Sequence, residues 1–196
     1  MLEFERLKEE SASFNELIID LSVEALRELT DEMVSAIEQL IKDCDDDDVN
    51  FVPDDPSAED PFASRQEDVD LAWTVGHVIA HITASAEESA ALAAELARGV
   101  QFHGRSRYEV PWEDMDTIDK CHQRLAESRR MRLASLDMWS EEPHLENVYQ
   151  AWEGGPKVTP IGRFVLGLKH DFDHIEQIAE IIRQSHQSKT HVKDLL

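Results

Sequence analysis

The chain is expected to be an all-α four-helix bundle, on three observations. Its apolar residues recur at three- and four-residue intervals, and nothing reads convincingly as a sheet. Long stretches are rich in Ala, Leu, Glu, Arg and Met, the strong helix formers, while glycine numbers only 7. Four of these stretches, each roughly 20 to 25 residues long, are bounded by capping or breaking residues.

The first stretch runs from about Ser22, a plausible cap, to Cys44, with Leu26, Leu29, Met33, Ile37, Leu40 and Ile41 on one stripe. A shorter helix around Phe14 to Ile19 precedes it. From Asp43 to Pro61 the run Asp45 to Asp48 and the prolines at 53, 56 and 61 oppose helix, which predicts a long, solvated acidic loop. The glycine and final glutamate of a twelve-residue calcium loop are missing there. The second long helix starts after Thr74 and ends at Gly99. The third spans about Thr117 to Trp139, with Ile118, Cys121, Leu125, Leu136 and Trp139 inward. The fourth opens on Thr159-Pro160, a cap followed by proline at the first helical position, and runs to about Gln184, with the end frayed from about Gln187. Short connections would give antiparallel neighbours, and longer ones a cross-connected bundle.

A length of 196 residues with 41% hydrophobic content fits one domain, 1–196, with a proper core. The formal charge of -23 argues against binding nucleic acid, which needs clustered Lys and Arg, and against an anionic membrane surface. Two cysteines, Cys44 and Cys121, form no framework and read as reduced thiols. There is no basic start followed by an apolar run, and no segment near ~18 apolar residues. A cytoplasmic protein is expected.

Three histidines carry the functional signal. His170 and His174 stand four apart on the fourth helix, one turn apart on one face. His81 shares a stripe of the second helix with Val78, Ser85 and Leu92, while His77 turns toward the flank of Glu95 and Arg98. Gly167, one turn before the pair, would leave room for a ligand. Spacing leaves two readings: three ligands around one divalent ion with open positions, or a hydrogen-bonded core histidine beside a polar seam. His77, His103, His144, His186 and His191 read as surface or loop residues.

The segment Trp73-Thr74 followed by His81, and the pair His170-x-x-x-His174 trailed by Ile175 and Gln177-Ile178, resemble the second and last helices of the DinB-like superfamily. That superfamily includes YfiT-type metal-dependent enzymes and bacillithiol or mycothiol S-transferases. The resemblance covers roughly Ser22 to Gln184 and is specific in those two segments. It implies a DinB/YfiT-like bundle, often a homodimer, with His81, His170 and His174 as ligands to zinc, nickel or iron. The activity it implies first is transfer of a small-molecule thiol to an electrophile. A metal-dependent hydrolase is the second reading, and a non-enzymatic, stress-related metal- or small-molecule-binding bundle is the rival from another class.

Other residues are weaker candidates. Glu88, two turns after His81, is a candidate general base or partner to an imidazole, although a solvated or core-edge glutamate is the plainer reading. Arg105, Arg107, Tyr108, Trp112 and Trp152 lie in the loops 104–112 and 152–156, expected to shape the entrance, with the arginines holding an anionic tail. Those arginines, with Arg129, Arg130 and Arg132, are more simply expected to pair with the abundant acids. Cys121, in a helix interior, is expected to be inert.

Overall fold

The computed structural model describes residues 2–59, 66–150 and 157–194. Its helices are α1 (Glu5–Lys8), α2 (Phe14–Ile18), α3 (Val23–Ile41), α4 (Asp46–Val49), α5 (Val75–Ala97), α6 (Ile118–Asp137) and α7 (Pro160–Asp194). Each long helix begins where a hydroxyl side chain meets an orphan backbone donor of the first turn. Ser22 accepts from Ala25 N at 3.2 Å, and Thr74 from His77 N at 3.2 Å. Thr117 accepts from Lys120 N at 3.3 Å, and Thr159 from Gly162 N at 3.2 Å. The four starts are those expected from sequence.

Helix α5 packs on α6 and α7, and α3 packs on the same two. Helices that follow one another, α3 with α5 and α6 with α7, therefore lie on the diagonals, so the bundle is the cross-connected kind. The core is filled by Leu26, Met33 and Ile37 from α3, Val78, Ile79 and Ile82 from α5, Leu125 from α6, and Phe164, Leu168 and Ile178 from α7. Each such side chain contributes about 1.5–3 kcal/mol by leaving water. The strand content is small: Tyr149–Gln150 pairs antiparallel with Lys157–Val158. Among the described residues no helix is long and apolar enough to cross a membrane.

Gly167 serves packing and not a ligand. A Cβ there would meet Ser89 Cβ at 2.8 Å and Ala86 Cα at 3.0 Å, so the missing side chain lets α7 approach α5.

Two further expectations are corrected. Helix α7 does not fray near Gln187, but continues to Asp194. The acidic segment after Asp43 is not uniformly solvated, because its aspartates build α4. Asp45 and Asp48 form a reciprocal capping box, each side chain accepting the other's backbone N–H at 3.0 Å. Asp48 is then buried against the end of α7, where it accepts from Ser185 Oγ at 2.6 Å and pairs with Lys189 Nζ at 2.7 Å. Asp46 accepts from Ile118 N at 2.9 Å, tying α4 to the start of α6. The acids are tolerated because helix starts and a lysine receive them.

Burial raises the Asp48 pKa, but the bonds from Lys189, Ser185 and the Asp45 backbone outweigh it, leaving the carboxyl below its ordinary value. A depressed carboxylate contributes stability that is present above its unfolded pKa and lost as pH falls through the folded one. Asp48→Asn is therefore expected to cost ~1–3 kcal/mol at pH 7. The deficit should shrink as pH falls below about 4. Urea unfolding of both proteins at pH 7 and pH 3.5 checks this.

Candidate metal centre

Helices α5 and α7 make the most extensive contact in the bundle, and the three histidines meet across it. His81, His170 and His174 each offer a ring nitrogen, and these nitrogens all lie within 4.8 Å of one another. His81 Nε2 and His170 Nε2 are 3.1 Å apart. Two nitrogens that ligate one ion at ~2.1 Å are at most about 4.2 Å apart, so this pair fits a common ion. His174 Nδ1 lies 2.7 Å from Gln177 Oε1, the donor–acceptor pairing that leaves Nε2 free to face the cluster. No other group of three or more His, Cys, Asp or Glu suited to a metal occurs among the described residues.

The donors suit a divalent transition ion. Burial, reinforced by His174 and His81, pushes His170 down to about 3, and burial also lowers His174. These two rings therefore stay neutral at neutral pH, each keeping one nitrogen lone pair free to ligate. Three imidazoles with no thiolate suit zinc, nickel or iron rather than calcium or magnesium.

Trp73 forms one wall. Its ring lies 4.6 Å from the His81 ring and stacks on His174 at 6.0 Å, centroid to centroid. Trp73 also stacks at 4.4 Å on His77, whose other face lies 4.8 Å from Trp112. His77 is thus buried between two indoles, which corrects its expected place on the surface. Helical periodicity put His77 on the flank correctly relative to His81, but it could not reveal that Trp112 folds back over that flank.

A cleft of about 180 Å³ opens beside His174. Leu71, Trp73 and Gln177 line it together with Asp55, Ser57, Ala58 and Glu59. The entrance thus uses the acidic segment, whose part in the site gave no sequence signal. The segment 104–112 lies instead along α5, and 152–156, with Trp152, falls outside the described residues.

The other named residues are placed as follows. Glu88 is buried, accepts from Arg105 Nε at 3.1 Å and Nη2 at 2.6 Å, and accepts from Ser106 N at 3.0 Å. Although burial raises its pKa, the Arg105 and Ser106 bonds outweigh that and hold the carboxyl below its ordinary value. Arg107 bonds Ser85, Glu109 and the His81 carbonyl. Tyr108 projects into solvent, 75% exposed. Arg129 pairs with Glu38, Arg130 with Glu127, and Arg132 with Asp171, so the expected intramolecular pairing holds for these arginines. Cys121 is buried, and burial pushes its thiol up to about 12, far from a thiolate at neutral pH. Two neighbours of the histidines had no role from the sequence: Gln177, which appears there only within the segment trailing His174, and Glu109, which no spacing connects to His81.

A helical bundle whose facing helices gather three imidazoles beside a cleft defines a class of candidate metal-binding proteins. The family model described as the DinB superfamily matches residues 14–178, most of the chain, and this protein belongs to that superfamily. Neither the curated proteins nor the solved structures contain a match to the chain.

Proposed function

We propose that His81, His170 and His174 hold one divalent ion, zinc, nickel or iron, and that the centre serves transfer of a small thiol to an electrophile. The convergence of three imidazoles beside an open cleft carries this reading. A bound ion would supply Lewis acidity, lowering the pKa of a thiol or water toward neutrality. The chain's own residues do the rest. Gln177 orients His174, and Trp73 gives the cleft an apolar face against which a substrate's carbon skeleton can pack.

The charge of the cleft narrows the substrate. Asp55 and Glu59 line it, and no described lining residue is a lysine or an arginine. Arg105 and Arg107, the arginines expected to hold an anionic tail, are paired with Glu88 and Glu109. An uncharged or amine-bearing thiol therefore suits this cleft better than a polyanionic one.

The test loads tag-free protein with each metal and compares it with His170→Ala. The substrates are cysteamine, 2-mercaptoethanol and mercaptoacetate with a fluorogenic electrophile, and, separately, activated esters. Metal-dependent conjugation by the wild type, absent in His170→Ala and weakest with mercaptoacetate, is the expected result. Ester turnover without thiol conjugation would move the reading to a hydrolase. Equal background in both proteins would leave a metal-binding bundle without catalysis.

A further inference from the structure

We propose that Glu109 is a positioning residue of the three-histidine centre, holding the His81 imidazole so that its Nε2 faces His170. The proposal rests on the metal-binding reading above.

Residues 105–115 run back along α5, gripping it turn by turn. Arg105 and the Ser106 backbone N–H hold Glu88, and Arg107 bonds Ser85 and the His81 carbonyl. Glu109 comes beside His81, and Trp112 stacks on His77. The Met115 carbonyl then sits so close to Gly76 that a Cβ there would lie 2.1 Å from its oxygen. Positions 88, 85, 81 and 77 recur every three or four residues and so lie on successive turns along one side of the helix. Two residues of extended chain cover about 6.6 Å and one helical turn about 5.4 Å, so alternate residues can meet successive turns. Arg105, Arg107 and Glu109 do so, while Tyr108 between them points to solvent. The register of this strap delivers a carboxylate to His81 and to neither of the other two histidines.

An imidazole that ligates through Nε2 carries its proton on Nδ1, and that proton needs an acceptor. Arg107 Nη2, 3.3 Å from His81 Nδ1, can only donate to that nitrogen, so this contact must give way when the ring ligates through Nε2 and Nδ1 carries the proton. Glu109 Oε1, at 3.8 Å, is the acceptor within reach of a small side-chain adjustment. Arg107 Nε donates to the other Glu109 oxygen at 3.0 Å and so splints the carboxylate against the ring. The same task at His174 falls to the neutral Gln177 Oε1. Two of the three rings are thus oriented through Nδ1, one by an amide and one by an anion. A carboxylate holds an Nδ1–H more firmly than an amide oxygen does, so removing its charge should be felt at the metal.

Zinc affinity measured by chelator competition tests this on wild type, Glu109→Gln, Glu109→Asp and the surface control Glu141→Gln. Glu109→Gln should weaken zinc roughly 10- to 100-fold, Glu109→Asp should recover part of that, and Glu141→Gln should match wild type. Circular dichroism of the zinc-free variants should show each of them folded at the temperature of the titration, so that a weakened affinity reports the site and not unfolding. Nitrogen-15 spectra of zinc-loaded wild type give an arm that needs no variant: His81 should carry its proton on Nδ1. Glu109→Gln affinity within twofold of wild type, or His81 ligating through Nδ1, would overturn the positioning role alone. Absence of zinc binding by wild type would instead remove the metal reading on which it rests.

Discussion

Arg132→Ala is expected to destabilise the protein by about 3–5 kcal/mol, because it strands a buried carboxylate. Arg132 on α6 is 1% exposed and its partner Asp171 on α7 is fully buried, although these helices lie on a diagonal of the bundle. The long guanidinium stem reaches across the centre, with Nε donating to Ser128 Oγ at 3.0 Å. Burial pushes Asp171 up to about 6 even with the arginine beside it, so without the arginine the carboxyl would be forced to protonate. Replacing both partners with apolar residues of similar volume, Arg132→Met with Asp171→Leu, should recover most of the loss, since the pair's own desolvation cost also disappears. Urea unfolding of the two variants measures this. A loss below about 1 kcal/mol in Arg132→Ala would mean that water reaches Asp171, which the packing excludes.

The second large effect is at the imidazoles. His81→Ala, His170→Ala and His174→Ala should each lose bound zinc by more than the roughly 10–100-fold that removal of an outer partner costs. His77→Ala should keep it. Its ring stacks between Trp73 and Trp112 and is not part of the three-nitrogen cluster, so its removal should lower the thermal midpoint without stripping the ion. Loss of zinc in His77→Ala at a temperature where that variant is folded would show that the indole stack, not the three rings alone, sets the site. Chelator competition and circular dichroism on the same samples separate the two effects.

What could be read from the sequence was what is local. Ser22, Thr74, Thr117 and Thr159 start helices because a side-chain oxygen can reach its own first turn, and each does. The His170/His174 pair and the inward turn of His81 follow from 3.6 residues per turn. What escaped depends on partners distant in the chain. The aspartates after Asp43 read as a repelling run, yet Lys189 and Ser185, at the far end of α7, receive Asp48. That contact also orders the helix end expected to fray. Arg132 is one of three helix arginines expected to pair with acids, and only the approach of Asp171 shows that its pair is buried. Glu109 lies in a segment whose two-residue alternation names no partner by itself, so its place beside His81 follows from the Glu88, Ser85 and Gly76 contacts along α5 and from the Arg107 bond.

The central claim, one divalent ion held by three histidines, is tested most directly by elemental analysis of protein purified without a histidine tag and dialysed against metal-free buffer. The expected result is about one equivalent of zinc, nickel or iron per chain, with X-ray absorption showing imidazole nitrogen neighbours near ~2.1 Å if the ion is zinc. The triple variant His81→Ala, His170→Ala, His174→Ala should retain none. Equal metal content in the two proteins, or a wild type that retains no ion after exposure to each of the three metals, would contradict the claim.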